Sequence, residues 1–141
     1  MFFRAIKKKD AMKYIEHILG DQGPLAYFVY SNFSPDRTTF LTPETFDLQM
    51  GVVVYPEGGE IPRHFHTSQE RTTKGFTEVI IVKSGRCEVD IYDKENILVA
   101  TREMKQGDIV MLIDGGHGFR ALEELQLFEI KQGPYIGIEE K

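Results

Sequence analysis

The chain is poor in several features that mark whole classes of protein. Its one cysteine, Cys87, cannot form a disulfide within the chain, so we expect a reducing, cytoplasmic location. No apolar run approaches the roughly 18 residues of a membrane-spanning helix, and no membrane partner is expected. Basic residues number 17 against 22 acidic ones, and the net charge of −5 argues against nucleic acid as a partner. The length of 141 residues, without internal repeats, is typical of one domain.

The first 24 residues differ in pattern from the rest of the chain. Apolar residues recur there at three- and four-residue steps, which is the spacing of one helical face. Asp10 is a suitable N-cap, and Gly20 suits the left-handed position after a last helical turn. We therefore predict one short α-helix over residues 10–19, within an N-terminal arm of residues 1–24 that precedes a main domain of residues 25–141.

Beyond residue 24 the chain consists of short β-branched and aromatic runs separated by turn signals. About eight such runs follow one another without a long helix, which predicts an all-β, antiparallel sandwich or barrel. On one run Cys87 alternates with Val89 and Ile91, so we expect it to be a small buried side chain rather than a nucleophile. The predicted strands are Leu25–Tyr30, Leu48–Tyr55, Glu78–Lys83, Cys87–Tyr92, Ile97–Thr101, Ile109–Ile113, His117–Leu122 and Leu125–Lys131.

Four residues in this β-rich part have the chemistry of metal ligands. His64 and His66 are two apart, and on a strand that spacing sends both imidazoles to one face. Glu78 opens a later strand, and His117 follows a Gly115-Gly116 turn that we expect to aim it. Three histidines and one carboxylate that converge inside a barrel can hold a divalent transition metal and leave positions open for a substrate.

The residues around these four resemble the two motifs of the cupin family. Together the motifs span residues 58–117, and the strand pattern extends the likeness from about residue 25 to 131. The matching segments are Gly58-x5-His64-x-His66 and Glu78-x6-Gly85 for the first motif, and Gly107-Asp108-Ile109-Val110-Met111-Leu112 leading to Gly115-Gly116-His117 for the second.

The resemblance implies a jelly-roll β-barrel in which His64, His66, Glu78 and His117 are the metal ligands. Such a set of nitrogen and oxygen ligands accepts Fe, Mn, Ni or Zn, so the sequence does not select among these metals. Some cupins bind no metal, and a hydrogen-bonded pocket made of the same polar residues is therefore the alternative.

The chain departs from the family pattern in two places. Eleven residues separate His66 from Glu78, where the family has a much shorter spacing, and Glu70 stands at the ordinary distance. We prefer Glu78 as the ligand, because the Glu-x6-Gly half of the motif is intact only there, and Glu70 is the rival. The usual proline before the last histidine is replaced by Ile113-Asp114, with one residue fewer after Gly107.

Glu129 and Lys131 form a second polar pair, on the last predicted strand. They alternate with Phe128 and Ile130 and so project to one face. If that face is the barrel interior, the two form a buried ion pair near the metal that exchanges a proton or holds an anionic substrate. The alternative is an ordinary solvent-facing pair. The closing Lys131–Tyr135 segment also resembles cupins of surface-polysaccharide and sugar-modification pathways.

These features favour an enzyme in which a metal acts as a Lewis acid on a small polar molecule, such as a sugar or nucleotide-sugar. Glu129, Lys131 or Glu70 would move protons in an isomerisation or epimerisation. An iron-dependent dioxygenase is a variant, because the ligand set leaves positions for oxygen. The alternatives are a module that binds a small ligand without chemistry, and a structural role in which the N-terminal arm packs across the partner of a homodimer, the assembly that we expect.

Two substitutions distinguish the two glutamates. We expect Glu78→Gln to raise the Kd for a divalent metal about tenfold or more, the scale of a lost ligand or of its support. Isothermal titration calorimetry measures this Kd directly. Glu70→Gln is the matched control and should leave the Kd largely intact, and the reverse order of effects would give the ligand role to Glu70.

Overall fold

The structure is a computed structural model that describes residues 14–137. These residues fall into two compact units: a larger unit of residues 14–33 and 76–137, and a smaller unit of residues 34–75. Every strand pair found among the described residues is antiparallel. The strands are β1 (Ile15–Gly20), β2 (Gly23–Val29), β3 (Thr39–Phe40), β4 (Gly51–Val52), β5 (Glu78–Ser84), β6 (Arg86–Tyr92), β7 (Leu98–Lys105), β8 (Ile109–Leu112), β9 (Gly116–Ala121) and β10 (Gln126–Lys131).

The larger unit consists of two sheets that share one apolar core. The five-stranded sheet has the order β1-β2-β8-β5-β10, and the three-stranded sheet has the order β7-β6-β9. Side chains from both sheets form the core, in which Phe28, Met104 and Val110 are completely buried. The prediction of an antiparallel all-β fold is therefore confirmed, and residues 14–137 form separate sheets without closing into a barrel.

Strand β6 shows how alternation in the sequence places each side chain. Cys87, Val89 and Ile91 are all buried in the core, which confirms that Cys87 is a small buried side chain. Burial also raises the pKa of the Cys87 thiol. The residues between them point the other way, and there Thr101 on β7 donates a hydrogen bond of 2.6 Å to the carboxylate of Asp90.

The predicted N-terminal helix is wrong for the residues that the structure describes. Residues 10–13 of that prediction lie outside the described part, and Ile15–Gly20 forms strand β1, paired with β2. Gly20 ends β1 opposite Gly23, whose φ of 125° favours glycine, so a tight turn folds the chain back on itself. The burial of Ile18, at 6% exposed, beside Leu19, at 62%, is the alternation of a strand.

The carboxylate of Glu16 ties β1 to the three-stranded sheet. Arg102 on β7 donates two hydrogen bonds to it, from Nε to Oε1 at 2.7 Å and from Nη2 to Oε2 at 2.9 Å. The hydroxyl of Tyr30, just after β2, donates a third to Oε1 at 3.0 Å. The hydrogen bond from Arg102 lowers the pKa of Glu16, against the opposing effect of burial. An ion pair with two hydrogen bonds fixes both the distance and the orientation of its partners. It therefore holds β1 and β7, the edge strands of the two sheets, next to each other.

The smaller unit has little regular structure. Of the predicted strand Leu48–Tyr55, only the two residues of β4 pair, with β3. Hydrogen bonds from the Gln49 side chain hold the segment around it, because its amide donates to the carbonyl oxygens of Pro43 and Phe46 at 2.9 Å each. These two carbonyl groups thereby receive hydrogen bonds without pairing in a larger sheet.

The other seven predicted strands are confirmed, with ends that differ by a few residues. The largest difference is at β7, which continues to Lys105 where the prediction stopped at Thr101. Within residues 14–137 no helix has the length and apolar character that crossing a membrane requires.

The Glu16 interaction predicts a pH-dependent stability. At pH 7 we expect Glu16→Gln to lower the free energy of unfolding by about 1–2 kcal/mol, the scale of a partly exposed, charge-assisted pair. Since the pKa of Glu16 is lowered in the folded protein, its contribution is complete above the ordinary value of 4.5 and is lost as the pH falls through the lower folded value.

Urea denaturation at a series of pH values, from 7 down to about 3, measures this difference. The stabilities of wild type and Glu16→Gln should converge toward the acid end. Glu44 is exposed in the smaller unit, so Glu44→Gln is the control and should follow the wild-type curve. A stability difference between wild type and Glu16→Gln that is the same at both ends of the series would contradict the prediction.

Candidate functional site

Glu78 and His117 point into the same space between the two sheets of the larger unit. Glu78 is the first residue of β5 and lies on the same face as Ile80 and Val82, which belong to the core. His117 is the second residue of β9 and lies on the same face as Phe119, which packs against that core. Alternation along each strand thus directs one carboxylate and one imidazole inward from opposite sheets.

The two side chains approach each other without forming a hydrogen bond. Oε2 of Glu78 and Nε2 of His117 are 4.0 Å apart, and their side chains are 13% and 34% exposed. Burial lowers the pKa of His117, and the negative charge of Glu129 acts in the opposite direction. A lowered pKa keeps the imidazole neutral at pH 7, which is the form that binds a metal or accepts a proton.

Glu129 and Lys131, the predicted catalytic residues, lie on β10, the strand next to β5. Lys131 is directly opposite Glu78 in the register of β10 with β5. Both residues lie on the same face as Leu127, which packs against the core, so their side chains start from the inner face. They are nevertheless exposed. They therefore do not form the buried ion pair that was expected for an interior face.

His64 and His66 lie in the smaller unit, in a segment without regular secondary structure. The segment around them buries no apolar face, since Phe65 between them is 91% exposed. Their rings are still close, with centroids 5.1 Å apart and planes 72° from parallel. Nδ1 of His64 is 2.8 Å from the carbonyl oxygen of Pro62, and a proton on that nitrogen leaves Nε2 available to a metal. The rival ligand Glu70 is exposed in the same unit, and the choice between the two glutamates stays a prediction.

The donor atoms of Glu78 and His117 are 4.0 Å apart. Two ligand atoms of a tetrahedral metal at about 2.1 Å are about 3.4 Å apart, so the two side chains would have to move about 0.6 Å closer to share such an ion. A carboxylate oxygen and an imidazole nitrogen suit Fe, Mn, Ni or Zn. In the described part of the chain, no three or more His, Cys, Asp or Glu side chains are gathered in a group that could hold a metal. The structure thus brings two of the four predicted ligands together, and the four-ligand centre stays a prediction.

Gly115 makes the turn that leads into the strand of His117. Its φ is 71°, and a Cβ at this position would collide with the carbonyl oxygen of Tyr92, so the turn needs glycine. A glycine turn thus precedes the histidine, and its role in aiming His117 stays a prediction. Sequence reasoning missed Asp114 and Lys94, whose 3.0 Å ion pair holds the same turn. The aspartate before Gly-Gly was an available signal, whereas the lysine lies far away in sequence.

Comparison with known proteins gives no match to this chain: no protein-family model, no curated protein and no solved structure matches it. The resemblance to cupins therefore rests on the motif residues of the sequence.

The electrostatic relation between His117 and Glu129 can be measured in metal-free protein. We expect His117 to titrate below its ordinary pKa of 6.5, and Glu129→Gln to lower that pKa further, because it removes the charge that favours the protonated ring. An NMR titration of the histidine Cε1–H resonances reports both values. The pKa of His17 is lowered by burial alone, so this residue is the internal control and should be unaffected by the variant. A higher His117 pKa in Glu129→Gln would contradict the placement of the carboxylate.

Proposed function

We propose that the protein is a metal-dependent enzyme of the cupin type that isomerises or epimerises a small polar molecule, such as a sugar derivative. The observation that carries the proposal is the Glu78–His117 pair, whose donor atoms are 4.0 Å apart between two sheets. The all-β fold and the cupin-like motifs support it, and the jelly roll is the architecture that we assign to the complete fold.

The chain supplies both kinds of ligand that a divalent transition metal needs. Glu78 provides a carboxylate oxygen, and burial favours the neutral form of His117 that a metal ligand must have. His64 and His66 are the further ligands that the resemblance implies. When bound, the metal supplies a Lewis acid that polarises a carbonyl or hydroxyl group of the substrate.

The groups beside this pair suit a reaction made of proton transfers. Isomerisation or epimerisation needs a base that removes a proton and an acid that returns one. Glu129 and Lys131 offer one group of each kind, and both flank the Glu78–His117 pair from the inner face of β10. Because proton transfers conserve the atoms of the substrate, no second reactant is consumed. This is the reason for proposing an isomerase or epimerase.

Metal binding and turnover can be tested separately. We expect protein purified without a chelating column to hold about one divalent metal per chain, measured by elemental analysis, and to convert a sugar or nucleotide-sugar without a change in mass. Lys131→Met removes the acid but no proposed ligand, so turnover should fall about 100-fold or more while the metal Kd changes little. Chromatography with NMR detection of the product follows the conversion.

Lys83→Met is the matched control, because Lys83 is an exposed lysine of β5 that lies on the face opposite to Glu78. This variant should keep both metal and turnover. His64→Ala combined with His66→Ala should abolish metal binding if these histidines complete the ligand set. A protein that takes up none of Fe, Mn, Ni or Zn would contradict a metal-dependent enzyme. A ligand that binds but is never converted would instead identify a binding module.

A further inference from the structure

Glu78 and His117 belong to different sheets, and a short connection determines how the sheets meet beside them. Glu78 is opposite Leu112, the last residue of β8, within the five-stranded sheet. His117 is the second residue of β9, in the three-stranded sheet. Only residues 113–115 lie between β8 and β9, so the path of these three residues bears directly on the separation of the two side chains.

Asp114, in the middle of this connection, contacts both sheets. Its backbone N–H and that of Ile113 donate hydrogen bonds of 3.3 and 2.8 Å to the carbonyl oxygen of Leu25 on β2. Its Oδ2 is 3.0 Å from Nζ of Lys94, in the turn between β6 and β7. Its Oδ1 accepts a hydrogen bond of 2.8 Å from the N–H of Gly115. One residue therefore links the five-stranded sheet, through its backbone, to the turn between β6 and β7, through its side chain.

The connection has little freedom to relax at its other residues. Gly115 packs closely against the carbonyl oxygen of Tyr92, the last residue of β6. Its φ of 71° lies in the left-handed region, which residues other than glycine rarely adopt. Gly116 then pairs with Tyr92 in the register of β6 with β9. With backbone contacts at both ends, the ion pair between Lys94 and Asp114 is a side-chain contact that joins this connection to the turn between β6 and β7.

We propose that Asp114, held by Lys94, is a positioning residue that sets the separation between Glu78 and His117. This inference rests on the proposed function, which assigns those two side chains to one metal site. Lys94 and Asp114 are 45% and 46% exposed, so their ion pair contributes little to the stability of the fold. The ion pair acts instead on the positions of the two ligand atoms. These positions matter because metal–ligand distances vary by only about 0.2 Å.

Titration of the full chain with Ni²⁺ tests the proposal. Lys94→Met and Asp114→Ala should each raise the Kd for Ni²⁺ about tenfold, the effect of losing the support of a metal ligand. Lys94→Arg keeps a positive charge opposite Asp114 and should restore the wild-type Kd. The melting temperatures of all three variants should stay within about 3 °C of wild type, because the interaction that is lost is exposed.

Glu123→Ala is the matched control. Glu123, in the turn between β9 and β10, forms an ion pair with Arg86 at the same distance of 3.0 Å and with side-chain exposures of 54% and 40%. Its removal should leave the Kd for Ni²⁺ unchanged. If Glu123→Ala and Lys94→Met change the Kd equally, or if neither changes it, Asp114 has no positioning role.

Crystal structures of the metal-free proteins distinguish failure of this inference from failure of the proposed function. A wild-type protein that binds no divalent metal overturns the proposed function but leaves the structural comparison valid. In Lys94→Met the distance from Glu78 Oε2 to His117 Nε2, 4.0 Å in the wild type, should change by more than about 0.5 Å. An unchanged distance overturns the positioning role whether or not a metal binds.

Discussion

The apolar core of the larger unit lies between its two sheets, and both sheets contribute side chains to it. Because side chains alternate along a strand, the burial of one residue fixes the direction of the others. Val82 and Phe119 pack in or against the core, and so Glu78 and His117, at even steps from them, must also point inward. The polar pair between the sheets is thus a consequence of apolar packing, and it keeps its position as long as that packing holds.

The carboxylates of Glu16 and Glu78 in the larger unit have different surroundings. Glu16 is held at 2.7 and 2.9 Å by both prongs of Arg102 and at 3.0 Å by the hydroxyl of Tyr30. Such close contacts fix geometry and leave no space for another atom. Glu78 lies 4.0 Å from His117, a separation too long for a hydrogen bond between the two. The carboxylate of Glu16 is therefore a structural link between β1 and β7.

Local sequence patterns predicted most of the strands, because β-branched alternation and turn residues act within a few positions. The apolar residues of β1 also have the spacing of a helical face, and for this reason the sequence predicts a helix there. As a strand, β1 places Glu16 next to Arg102, which lies 86 positions away in the sequence. No local sequence pattern contains information on that contact. The inward face of Glu78 follows from alternation. The 4.0 Å approach to His117 could not be predicted, since it depends on how two sheets pack.

Because Cys87 is buried, its reaction with a thiol reagent reports the opening of the apolar core. It is the single thiol of the sequence, it is completely buried at the centre of the core, and burial raises its pKa. A thiol reagent can modify it only when β6 separates from its neighbours, because the reactive thiolate is both shielded and disfavoured in the folded state. The rate of labelling therefore follows the opening of the core itself, without any dye, tag or added cysteine.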